Sequence, residues 1–125
     1  MSTIKKIQSV ERRRARLLKK MLRADLMIRG ALAETYRRCG KENCWCAEGK
    51  GHPYLRITWT EKGQAKTKAV RKQDLHWVAR TTENYRKFRS LRSEMRKLNA
   101  RLKCLLDVFE EEVIQRSKKQ KEHLR

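Results

Sequence analysis

The sequence predicts a mostly helical α+β protein. Two long heptad helices form an antiparallel coiled-coil hairpin, with a small metal knuckle and β-hairpin inserted at its tip. Three observations carry this. Apolar residues recur in steps of three and four toward both ends of the chain. The only proline, three of the four cysteines and every glycine but Gly30 lie in the middle. An acidic block late in the chain stands against strongly basic surroundings, as it would if it folded back on a basic run near the start.

Residues 1–29 read as a basic amphipathic helix. No Gly or Pro interrupts them, and Ile7, Val10, Arg14, Leu17, Met21, Ala24 and Ile28 form one seam, apolar but for Arg14. Leu18 and Leu22 widen it on one flank, and Gly30 suits a helix stop. Residues 30–73 read as a Cys/His knuckle with a small antiparallel sheet. Tyr54 to Thr60 alternates and is rich in β-branched and aromatic residues, Glu61 to Gln64 reads as a turn, and Ala65 to Val70 as the return strand. Leu32 to Arg38 adds a third strand.

Residues 74–116 read as a second, longer helix, with Asp74 as its N-cap. Beyond Val78 and Tyr85 its seam runs through Phe88, Leu91, Met95, Leu98, Leu102, Leu105 and Phe109. The Thr81-Thr82 pair is its weakest point and a candidate kink. Residues 117–125 read as a basic, flexible tail, charged and nearly without apolar content. In the antiparallel hairpin, Asp107, Glu110, Glu111 and Glu112 fall near Arg12, Arg13, Arg14 and Arg16. A homodimer built on either seam stays open.

The sharpest chemical signal is the stretch Cys39-Gly-Lys-Glu-Asn-Cys44-Trp-Cys46-Ala-Glu-Gly-Lys-Gly-His52. Three thiols and an imidazole form a Cys3His set, enough to close a tetrahedral structural zinc site. The neighbouring cations Arg37, Arg38 and Lys41 favour thiolate formation. Reduced cysteines packed around Trp45, or a reversible disulfide among the three, are the alternatives. His76 is a substitute for His52 if the second helix packs over the knuckle. A catalytic zinc is not expected, since the protein fills all four positions. Cys104, mid-helix beside the seam, reads as packing.

The residues Tyr36-Arg-Arg-Cys39-Gly-Lys-Glu-Asn-Cys44-Trp-Cys46, followed by Gly51-His52-Pro53-Tyr54-Leu55, resemble a family of small uncharacterised bacterial proteins. That family shows a Tyr-x-x-Cys-Gly-Lys-x-x-Cys-x-Cys block, then a glycine-rich turn and an aromatic strand. Lys62-Gly63 and Asn84-Tyr85-Arg86-Lys87-Phe88 are similar to its hairpin turn and second-helix start, so the resemblance covers roughly residues 30 to 100. The resemblance implies an accessory role near the transposases or recombinases of mobile elements, and no catalytic activity.

Among 125 residues, 34 are Lys or Arg and 14 are Asp or Glu, a formal charge of +20. Such an excess seeks a polyanion. On the first helix the doublets Lys5-Lys6, Arg12-Arg13 and Lys19-Lys20 repeat every seven residues, beside the seam. Arg89, Arg92, Arg96 and Lys103 add a stripe on the second helix, and Arg37, Arg38 and Lys41 extend it near the knuckle. Arrays of this kind contact phosphates without reading bases. The bland alternative is a solvated coiled-coil face. Trp59 and Trp77 suit base stacking or, more simply, the small core.

The sequence therefore points to a non-enzymatic accessory protein that binds nucleic acid, above all DNA, in the cytoplasm and associated with the nucleoid. Its partner would be a recombinase or transposase. A coiled-coil adaptor for an acidic protein, or an RNA-binding protein, is the alternative. A membrane surface is a weaker rival, because the seams serve helix pairing, and no window has the apolar length of a membrane span. No Gly-rich phosphate loop, nucleophile–base pair or acidic metal cluster speaks for an enzyme.

Overall fold

The computed structural model describes residues 1–124, in the order α1 (Thr3–Met21), β1 (Ala31–Arg37), β2 (His52–Glu61), β3 (Gln64–Ala69) and α2 (Leu75–Lys121). The chain divides into two compact units. One holds Met1–Arg23 and the chain from Arg89 onward, and the other holds Ala24–Phe88. Helix α2 contributes to both.

In the first unit, the Ser2 hydroxyl caps α1 by accepting the Lys5 N–H at 3.2 Å. Val10 and Leu17 of its seam are buried, with Ile7, Arg14 and Met21 half-buried beside them. On α2, every seam residue from Phe88 to Phe109 is shielded, and Leu105 most of all. The Thr3 hydroxyl donates to Glu112 at 2.6 Å, and Arg14 Nε donates to the Asn99 side chain at 2.8 Å. Low numbers thus meet high ones at these contacts.

That register corrects the expected charge pairing. The acidic block stands beside the start of α1, where Glu111 and Glu112 line one cavity with Ser2, Thr3 and Ile4. No ion pair joins the block to Arg12, Arg13, Arg14 or Arg16 among the described residues; Arg14 pairs with Glu11 instead. Helix α1 has no acid in its own first turn. The carboxylates of α2 supply the negative charge that the exposed N–H groups of a helix start favour.

Helix α1 is also shorter than the seam implies, ending at Met21 and not at residue 29. The segment after it is held by other bonds. Asp25 accepts the Leu26 N–H at 2.7 Å, the Ile28 N–H donates to the Thr81 carbonyl at 3.1 Å, and Asn84 donates to the Leu26 carbonyl at 2.9 Å. Backbone groups that α1 would have used are satisfied by the first turns of α2.

The second unit is built on an antiparallel sheet in the order β1-β2-β3, so all three expected strands form. The β2–β3 hairpin turns at Lys62 (φ 50°) and Gly63 (φ 78°), the left-handed pair that a two-residue hairpin requires. Ile57 and Trp59 of β2 line an apolar cavity of about 880 Å³ together with Ile28, Val70, Trp77 and Val78. The indole N–H groups are taken up locally: Trp59 donates to Glu61 at 3.4 Å and Trp77 to Asp74 at 3.0 Å.

Asp74 therefore starts α2 differently from the expected backbone cap. Its carboxylate holds Trp77 and, at 3.1 Å, the Arg71 guanidinium. Helix α2 runs unbroken through Thr81 and Thr82, both buried, whose hydroxyls donate to carbonyls one turn back at Trp77 and Val78. A threonine that satisfies itself in this way can be buried without opening the helix. The helix also continues past residue 116 to Lys121, where Lys118, Lys119 and Lys121 favour the negative end of its dipole. The expected flexible tail is largely helical over the described residues. Among them, no helix is long and apolar enough to cross a membrane.

Candidate metal centre

Strand pairing builds the site. The last pair of the β1–β2 ladder is Arg37 with His52, so the chain from Arg38 to Gly51 closes as a loop over the sheet end. Cys39 leaves β1 two residues after that pair, and His52 opens β2. Between them, Cys44 precedes and Cys46 lies within a short 3-10 turn, Trp45–Glu48. Gly51 makes the closure possible. Its φ is +103°, and a Cβ there would stand 2.3 Å from the Arg37 carbonyl carbon.

One ligand atom from each of Cys39, Cys44, Cys46 and His52 lies within 4.8 Å of the others. The Cys39 and Cys46 sulfurs are 3.4 Å apart, and Cys44 Sγ is 3.3 Å from His52 Nε2. Ligands around a tetrahedral zinc sit roughly 3.8 Å apart, given Zn–S bonds near 2.3 Å. The donor set and its spacing fit one such ion. His76 lies exposed on α2, outside this group, and His52 is the imidazole that stands with the three thiols.

The surroundings draw one thiol, that of Cys39, toward thiolate. The Lys41 backbone N–H, then the Cys46 and His52 side chains, pull the Cys39 thiol down to about 6. Cys46 is fully buried. The Cys39 amide N–H draws its pKa down, yet burial and the neighbouring thiols outweigh that and leave it raised. A buried thiol among sulfurs is the position that a cation would compensate most. Trp45 is not the apolar centre that reduced, packed cysteines would need. It is 68% exposed and meets the edge of the His52 ring at 4.9 Å between centroids. Cys104 is exposed on α2, so the packing role expected for it is corrected.

The expected phosphate contacts divide between the units. Lys5, Lys6, Arg12, Arg13, Lys19 and Lys20 on α1, and Arg89, Arg92, Arg96 and Lys103 on α2, are all exposed in the first unit. Arg37, Arg38 and Lys41 belong to the second, where Arg38 Nε donates to the Gly49 carbonyl at 3.0 Å. Arg13 and Lys20 of the doublets come together in a cavity, about 410 Å³ in volume, which also takes Arg16 and Lys97. Reading the doublets as the repeating unit hid this stripe. Arg13, Arg16 and Lys20 stand in steps of three and four, the spacing of one helix face.

The site and the sheet together define a class: an α+β chain with a Cys3His cluster suited to a metal ion at the end of a three-stranded sheet. The chain belongs to the family described as a domain of unknown function, DUF6788, whose model matches residues 7–80. That match takes in the four ligands and the whole sheet, and stops within α2. No curated protein and no solved structure matches the chain.

Proposed function

We propose that this chain is a non-enzymatic, DNA-binding accessory protein whose knuckle holds a structural zinc ion. One observation carries the DNA reading. Arg13, Arg16 and Lys20 of α1 and Lys97 of α2 surround a single cavity that contains one acid, Glu94. Among the described residues, none of these four cations forms an ion pair. Such a cluster is held at a free-energy cost unless an anion, such as a backbone phosphate, enters it. The excess charge of +20 supports the same reading over the whole chain.

The contacts Thr3–Glu112 and Arg14–Asn99, with the shielded seams, support an antiparallel coiled-coil hairpin that would display these cations. The resemblance at the cysteine block supports service to a recombinase or transposase. Binding of duplex DNA followed from low to moderate salt tests the function. Four phosphates predict a slope of log K against log salt of about −3.6. No binding to duplex DNA at any salt removes the DNA reading and leaves the adaptor for an acidic protein. RNA bound more tightly than DNA makes the chain an RNA-binding protein.

For zinc, three thiolates and one imidazole match the ion's preference and fill its four positions, which makes its contribution one of folding and not of chemistry. Metal analysis of the purified protein is expected to find about one equivalent. Cys46→Ser should lose it, and Cys104→Ser should retain it. A metal-free protein with the same thermal stability would end the zinc assignment.

A further inference from the structure

The sheet has two unlike faces. Residues alternate across it, so the register assigns Ile57 and Trp59, with the acids Glu34 and Glu61 balanced by Lys66 and Lys68, to one face. The other face carries Thr35 and Arg37 from β1, Tyr54, Arg56 and Thr58 from β2, and Thr67 from β3. The remaining positions on it are four alanines, one further threonine and, at the knuckle end, His52, so it contains no carboxylate and no large aliphatic side chain.

This second face is built to be met by something polar and negatively charged. Arg56 Nε donates to the Thr67 hydroxyl at 3.1 Å, which lays the guanidinium along the strands. Neither Arg56 nor Arg37 has an ion-pair partner among the described residues. Thr35, Arg37, Tyr54 and Arg56 border a concavity of about 590 Å³, closed on one side by Arg38 and Cys39 of the knuckle. Tyr54 is 42% exposed, with only alanines as apolar neighbours on that face.

Three strands at about 4.8 Å spacing make a platform roughly 10 Å wide. The major groove of B-DNA is about 12 Å wide and admits a two-stranded β-ribbon such as the β1–β2 pair that carries Arg37 and Arg56, whereas that of A-form RNA is too narrow for side chains to read. Alanines beside Arg56 leave its side chain room to turn toward a partner. An arginine fork matches the two acceptors of guanine, and a threonine can meet any base or the thymine methyl.

We propose that the Arg56 face of the sheet enters the major groove of duplex DNA and reads bases, with Arg37 and Arg56 selecting guanine. This rests on the DNA-binding reading above and adds sequence selectivity to it, through a different surface from the Arg16–Lys97 cavity.

The test is selection of bound sequences from a random duplex library by the full chain, followed by competition between the selected site and unrelated duplex. The wild-type protein should enrich a short guanine-containing site. Arg56→Ala, and separately Arg37→Ala, should each lower the preference for guanine at one position by roughly 5- to 150-fold. Arg56→Lys should lower it by less than Arg56→Ala does, because lysine keeps the charge and can reach guanine but lacks the fork. Circular dichroism and metal content matching the wild type would show that the variants fold. Duplex bound without an enriched site, or an enriched site unchanged in both alanine variants, overturns this inference while the DNA-binding function stands. A preference lowered in only one alanine variant confines base reading to that arginine and overturns the assignment of the other. Retention of structured RNA in place of duplex, or of neither, overturns both proposals.

Discussion

Gly51 and Cys46 show how the knuckle is closed at the scale of single residues. At Gly51 two demands coincide, a positive φ and a backbone approach that leaves no room for a Cβ. Gly40 also has a positive φ, of +86°, but faces open space. Gly51→Ala is therefore expected to lower the melting temperature markedly and to release the metal. Gly40→Ala should cost only the left-handed strain, about 1 kcal/mol. Thermal melting with metal analysis compares the two. The three candidate thiol ligands were legible in the sequence, with His52 or His76 to complete them, because thiol and imidazole spacing limits which groups can meet. The choice of His52 over His76 was not. It depends on the Arg37–His52 pair that ends the β1–β2 ladder, and a strand register is a long-range property.

The elements follow their seams closely, with deviations where another element supplies hydrogen bonds. Leu17 and Leu105 are buried, while Leu18 on the flank of the seam is 49% exposed. Leu17→Ala and Leu105→Ala should each destabilise by about 2–3 kcal/mol, and Leu18→Ala by less than about 1, in urea unfolding. The seam of α1 continues in the sequence through Ala24 and Ile28, but the helix does not. Periodicity records which residues face inward, and it is silent on whether a backbone finds better partners elsewhere. Thr81 and Thr82 make the same point in reverse. Their composition suggests weakness, yet their hydroxyls bond within the helix and their methyl groups are buried.

The start of α2 carries a pH signature. The Trp77 indole N–H, followed by the Arg71 guanidinium, holds the Asp74 carboxyl below its usual value. A depressed carboxyl contributes its stability above the unfolded pKa of about 3.9 and loses it as pH falls through the lower folded value. Asp74→Asn should therefore melt at a lower temperature than wild type at pH 7, and the gap should close in strong acid. A gap that stays constant across that range would mean that the charge of Asp74 contributes nothing.

At the scale of the whole molecule, charge is the dominant quantity. Arg14, Arg71 and Arg86 each pair with an acid three residues away on the same segment, while the chain as a whole carries 34 basic residues against 14 acidic ones. The cations are thus left to solvent or to a partner. The double variant Arg16→Ala/Lys97→Ala should weaken duplex DNA binding similarly for all sequences and make the salt slope shallower by about 2, measured by fluorescence anisotropy at several salt concentrations. An unchanged slope would remove those two residues from the interface.

The sequence by itself determined the helical and strand segments, the hairpin turn, the three candidate thiol ligands and the excess of positive charge. Each is a local pattern or a count, readable without knowing what lies across from it. Tertiary structure alone decided where α1 stops, that the acidic block faces the start of α1 and not its arginines, and that Arg16 and Lys97 join Arg13 and Lys20. It also decided which sheet face is left without carboxylates. These depend on register between segments far apart in the chain, where a shift of one residue on a strand, or one turn on a helix, changes every neighbour while leaving the local pattern intact.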